Sequence, residues 1–186
     1  MGKRNKSGGR ILKLLAKVTT PARVRIPPEV ANDSLRITPE LLAHTLEGLK
    51  TRSAGYRESG AIWTGHVSGT TSLVQDVHFY HDLCDDKGRA LSLELSEEAK
   101  YKLYQQLADR EQVLVGMIHT HPESWVDLSW VDRENQLCSR IGFWSLVVPY
   151  YGKRSWCIGT TGVHIRTDSG WHWFNKGEAS KRIISE

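Results

Sequence analysis

Apolar positions recur along this chain every three to four residues in some segments and every second residue in others, and each spacing predicts an element. Leu41, Leu42, Leu46 and Leu49 form a helical stripe behind Thr38, which suits an N-cap, and Pro39, which suits the first helical position. A helix is therefore predicted from 39 to about 51. Ser96 is placed to cap a second helix over 97–110, with Ala99, Leu103 and Leu107 turned inward. Strands are predicted near 60–67 and 72–80, followed by a polar loop over 82–89. The apolar run Val113-Leu114-Val115-Gly116-Met117-Ile118 reads as a buried strand. A further helix is expected from 129 to about 141, then a hairpin of 143–150 and 155–167 closed by Gly152-Lys153, and a last strand at 171–174. Ahead of these, residues 1–9 read as disordered, and 22–26 as a short edge strand ended by Pro27-Pro28. Alternating strands and helices fit a mixed sheet flanked by helices.

The chemistry sits where the apolar strand ends. His119 and His121 follow it two apart, so they project from one face, close enough for two imidazoles to meet one metal ion. Pro122 cannot donate to a ladder and releases the chain into a loop. Ser129 has the chemistry of an N-cap, and Asp132, in the first turn, can reach back as a third ligand; Asp127 is the rival carboxylate. Two histidines and one carboxylate leave a coordination position of Zn²⁺ open, the arrangement of a catalytic rather than a structural site. A general base is sought upstream, where Glu58 precedes the Gly60-Ala61-Ile62-Trp63 strand; its alternative reading is a solvated strand-end charge. Trp63, Trp125 and Trp130 either line a groove for an extended substrate tail or pack and shield the site. His66, His78, His81 and His164 belong to no comparable constellation and read as ordinary polar residues.

A glutamate before a Gly-containing strand, then His-x-His-Pro, six residues and Ser-x-x-Asp, resembles the JAMM (MPN+) zinc metallopeptidase family, over about residues 34 to 174. Ile37-Thr38-Pro39-Glu40-Leu41-Leu42 also resembles the first helix of prokaryotic members, although a single Gly60 stands where many carry a pair. The resemblance implies His119, His121 and Asp132 as ligands of one catalytic Zn²⁺, Glu58 as general acid/base, and Ser129 as oxyanion donor, unless Ser129 only caps its helix. It also implies an α/β fold, a three-layer α/β/α arrangement of cytidine-deaminase-like type. The expected activity is that of a deubiquitinase-like isopeptidase or peptidase, cleaving after the C-terminal tail of ubiquitin or a ubiquitin-like protein in deconjugation or precursor processing. Its compact form resembles members of bacterial ubiquitin-like (Bil-type) antiphage operons, which implies antiviral defence as a setting and activating and conjugating enzymes as associated partners. The alternatives are a sulfur-carrier-protein processing peptidase and a RadC-like DNA-associated protein.

Composition changes this picture little. The length and a 39% hydrophobic content suit one core, so the chain divides into a basic extension, 1–33, and one catalytic domain, 34–186. Eight basic residues from Lys3 to Arg25 precede the first acid, Glu29, so the rest is net acidic against an overall +4. Such a leader binds nucleic acid or an acidic protein surface, or is simply solvated; nucleic acid is not the expected partner. No apolar run reaches membrane-span length and no signal-peptide pattern is seen, so the expectation is a cytoplasmic protein without membrane contact. Cys84, Cys138 and Cys157, odd in number and widely spaced, read as reduced thiols.

Overall fold

The computed structural model describes residues 25–84, 94–134 and 137–186. After a 3₁₀ turn at Pro28–Val30, the chain forms β1 (Ser34–Ile37), α1 (Pro39–Ser53), β2 (Gly60–Ser68), β3 (Thr71–Phe79) and a one-turn α2 (Tyr80–Leu83). It continues with α3 (Glu97–Asp109), β4 (Val113–Thr120), α4 (Trp130–Glu134), β5 (Trp144–Val148), β6 (Gly162–Thr167), β7 (Gly170–Phe174), α5 (Lys176–Arg182) and β8 (Ile183–Ser185). Both expected caps are present: Thr38 accepts from Leu41 N at 3.2 Å and Ser96 from Ala99 N at 3.2 Å.

All eight strands join one sheet in the order β7-β6-β5-β4-β2-β3-β1-β8. β1 runs parallel to β3 and β8, β4 runs parallel to β5, and the other pairs are antiparallel. Residues alternate between two buried clusters: Ala61 and Trp63 pack with Leu42 and Leu49 of α1, and Ile62 packs with Leu103 and Leu107 of α3.

This architecture corrects the expected three-layer α/β/α arrangement. The sheet curls into a half-barrel and helices are few. Eight strands about 4.8 Å apart span roughly 34 Å, whereas one helix is about 10 Å across. Of the helices described, only α1 and α3 exceed seven residues. One long helix beside each cluster is too narrow to form a layer, and the sheet instead covers itself by curling. β2 carries irregularities that favour such a curl: its register slips at Trp63/Thr64 against β4 and at Thr64/Gly65 against β3. Such bulges bend the strand and increase its twist. Gly65 permits the slip, because a Cβ there would overlap the carbonyl oxygen of Leu73 across the ladder.

Smaller differences follow from local chemistry. The helix expected to reach 141 is a single turn, α4; residues 137–143 are not helical, and 135–136 lie outside the described residues. β5 and β6 do pair antiparallel, but two 3₁₀ turns, Tyr150–Gly152 and Ile158–Thr160, replace a tight turn at 152–153, with Tyr150 and Tyr151 at positive φ. Most of the 82–89 loop, residues 1–9 and residues 22–24 fall outside the described residues, while 25–27 form no strand. Val30 is fully buried in the α1-side cluster, so core packing begins ahead of residue 34. Among the described residues no helix is long and apolar enough to cross a membrane.

Candidate metal centre

The site forms where β4 runs out between two neighbours. Thr120 N donates to Ser59 O at 2.9 Å on one side, and His121 N donates to Val148 O at 2.9 Å on the other. These bonds fix the backbone of both histidines, which are buried. Their Nε2 atoms lie 3.2 Å apart. His121 Nδ1 is 3.0 Å from the carbonyl of Trp125, to which it donates, so Nε2 is the ring nitrogen turned to the group. The Trp125 ring also stacks on the imidazole at 5.1 Å, which limits its rotation. His119 Nδ1 is buried with no hydrogen-bond partner.

Asp132 completes the group from α4. Its Oδ1 lies 3.4 Å from His119 Nε2 and its Oδ2 3.4 Å from His121 Nε2. Ser129 and Asp132 cap each other, Ser129 N donating to Asp132 Oδ2 at 2.7 Å and Asp132 N to Ser129 Oγ at 3.0 Å. Burial pushes the Asp132 carboxyl up, but hydrogen bonds from His119 and His121 outweigh it and hold the group well below the carboxylate range. Burial likewise opposes protonation of His121, yet its bonds to Asp132 and the Trp125 carbonyl leave it raised. The donor atoms of His119, His121 and Asp132 all lie within 4.8 Å of one another, forming a group able to hold a metal ion.

Glu58 faces this group from β2's leading edge. Gly60 is opposite His119 in the β2–β4 ladder, so two residues back Glu58 comes opposite His121 and on the same face. Burial raises its carboxyl above the ordinary range; nearby His121 and His119 lower it and Asp132 adds to the rise. A half-buried carboxylate of raised affinity for protons, beside a set of metal donors, is suited to carrying protons.

Asp127 lies outside this group of donors. Its Oδ1 accepts from Arg133 Nη2 at 2.8 Å and Leu128 N at 2.7 Å, and lies 3.1 Å from His164 Nε2. Trp63 lines no groove: it is fully buried, with Nε1 donating to Thr45 Oγ1 at 3.2 Å. Trp125 and Trp130 are exposed, at 52% and 74%. Sequence reasoning overlooked His164, which is buried on β6 beside the loop that carries Trp125. The one signal for it was a histidine between two apolar strand residues, Val163 and Ile165.

Fold and site thus define a half-barrel sheet with a His-His-Asp group at the end of one inner strand. No protein-family model matches the chain, and no curated protein matches it. Solved structures do. A solution structure of a protein from Desulfitobacterium hafniense, 13% identical, aligns at a TM-score of 0.58 over 82% of this chain and 92% of that one. A solution structure of a protein from Salinibacter ruber, 16% identical, aligns at 0.53 over 82% and 91%. These likenesses are of fold alone.

Proposed function

We propose that the chain is a zinc-dependent peptidase or isopeptidase of the JAMM (MPN+) kind, cleaving after the C-terminal tail of a ubiquitin-like protein. The observation that carries this reading is the convergence of three donors with a glutamate opposite them. Donors about 2.0–2.2 Å from a tetrahedral Zn²⁺ stand roughly 3.3 Å apart, and the nitrogen and oxygen atoms here are separated by 3.2 and 3.4 Å. The two imidazole nitrogens thus meet this spacing as they stand, and Asp132 sets a different oxygen 3.4 Å from each of them. When bound, the ion supplies Lewis acidity toward a carbonyl and makes water more acidic. Glu58 accepts the proton of the attacking water and returns it to the leaving amine, roles that its raised carboxyl pKa favours. Ser129, held beside Asp132, presents its hydroxyl proton to the oxygen on which negative charge develops. The exposed rings of Trp125 and Trp130 offer apolar surface to an extended tail.

The test is cleavage of a ubiquitin-like protein bearing a C-terminal extension. Zinc-loaded wild type cleaves after the tail; Glu58→Gln binds zinc equally and loses on the order of 10²–10⁴ in rate; His121→Ala loses the metal. Full activity of Glu58→Gln would refute the role of that carboxylate, and zinc binding without cleavage of any tail would refute the substrate class.

A further inference from the structure

We propose that Asp127 and His164 are positioning residues for the metal centre: one carboxylate oxygen, gripped from the sheet, fixes both the loop that orients His121 and the helix that presents Asp132. The proposal rests on the metal-binding part of the reading above.

Asp127 Oδ1 receives three contacts from three places. His164 Nε2 on β6 lies at 3.1 Å, Leu128 N of the loop donates at 2.7 Å, and Arg133 Nη2 of α4 donates at 2.8 Å. Arg133 Nε also donates to Leu128 O at 3.1 Å, closing a ring between loop and helix. Arg133 adjoins the ligand Asp132, and Asp127 lies two residues beyond Trp125, whose carbonyl orients His121. α4 is a single turn with no buried residue of its own, so packing alone does little to hold it. His164 is the sheet's end of this clamp. Its side chain is only 1% exposed, and burial holds its pKa down at about 4, so the neutral ring donates through Nε2. Beside it, Gly162 lets the loop lie directly on β6, where a Cβ would overlap the Val126 carbonyl oxygen. Hydrogen-bond partners of metal ligands set the ligands' orientation, and their loss typically costs 10–100-fold in affinity; this clamp holds the segments that carry two such partners, Trp125 and Ser129.

The experiment measures zinc affinity by chelator competition and the visible spectrum of the cobalt(II)-loaded protein, alongside unfolding of the metal-free protein. Asp127→Asn and His164→Leu are each expected to weaken zinc binding about 10–100-fold and to shift the cobalt bands. His164→Leu changes no charge at neutral pH, so its loss is not Coulombic, and His164→Gln, which restores an N–H donor, is expected to recover most of the affinity. Variants that only destabilise the metal-free fold, with zinc affinity and cobalt spectrum unchanged, would overturn the proposal. Zinc-loaded wild type that cleaves no tail overturns the substrate reading and leaves this inference standing; wild type that binds no metal overturns both.

Discussion

The buried imidazole of His164 makes the fold sensitive to acid by an amount that can be worked from its surroundings. Desolvation is the dominant effect; Asp127 pulls the pKa back up and Arg133 pushes it down, leaving about 4 against an ordinary 6.5. Because the folded value is depressed, the unfolded chain binds the extra proton first as pH falls. The stabilisation from keeping this ring neutral is complete above about pH 6.5 and disappears progressively down to about pH 4. At about 1.4 kcal/mol per pH unit, the interval is worth about 3 kcal/mol, a large share of the roughly 5–15 kcal/mol that holds a domain folded. The assay is urea unfolding of metal-free wild type and His164→Gln at several pH values between 4 and 7. Carboxylates and the other histidines contribute to both curves and cancel in the difference. Wild type is expected to lose about 3 kcal/mol more than the variant across this window, most steeply between pH 6 and 4.5. Parallel curves would refute the reasoning, because they would mean that protonating His164 costs the folded state nothing.

Gly162→Ala places a methyl group against the Val126 carbonyl, within 2.9 Å of its carbon, and is expected to cost about 1–3 kcal/mol by thermal unfolding. It should weaken zinc binding as well, since the displaced loop carries the Trp125 carbonyl; an unchanged affinity would show that the loop adapts without moving His121. Zinc at a hundredfold excess over its Kd should stabilise wild type by about 2.7 kcal/mol, or roughly 5–10 °C in Tm for a chain of this size. Scanning calorimetry of wild type against His121→Ala checks this, and an equal rise in both would place the metal elsewhere.

The parts of this molecule that were legible in its sequence are those with strong local chemistry. Thr38 and Ser96 announced their helices because each cap bonds within its own turn. The His119–His121 pair was legible because strand geometry alone puts both side chains on one face. The register slips of β2 were not, since they involve two partners at once, and Gly65 within a strand was their one trace in the sequence. β1 and β8, of four and three residues, are too short to show a period; they exist because each pairs parallel with a neighbour far away in the chain. α5 could have been found: Asn175 and Glu178 form a reciprocal capping box, a pattern visible at residue level. In the sequence Asp127 was the rival carboxylate to Asp132, and only the fold, by bringing His164 and Arg133 to it, gives it other work.

The centre is built from parts of unequal rigidity, and this decides where its affinity is set. His119 lies in β4 and His121 directly after its end, where Thr120 N bonds Ser59 and His121 N bonds Val148, so their backbone cannot shift without breaking bonds to both neighbours. Asp132 belongs to a one-turn helix reached through a loop, and an isolated turn of helix has no stability of its own. Glu58 lies just before the first paired residue of β2, close enough to feel all three donors. Two imidazoles are thus presented by a stiff frame, while the third donor depends on Ser129, Asp127 and Arg133 to stay in place. Loss of order in the loop would release Asp132 and remove the Trp125 carbonyl that orients the His121 ring, while the backbone of both histidines stays bonded in the sheet. Changes along 125–133 should therefore grade the metal affinity, whereas changes that break the β4 ladder should abolish the site together with the core that supports it.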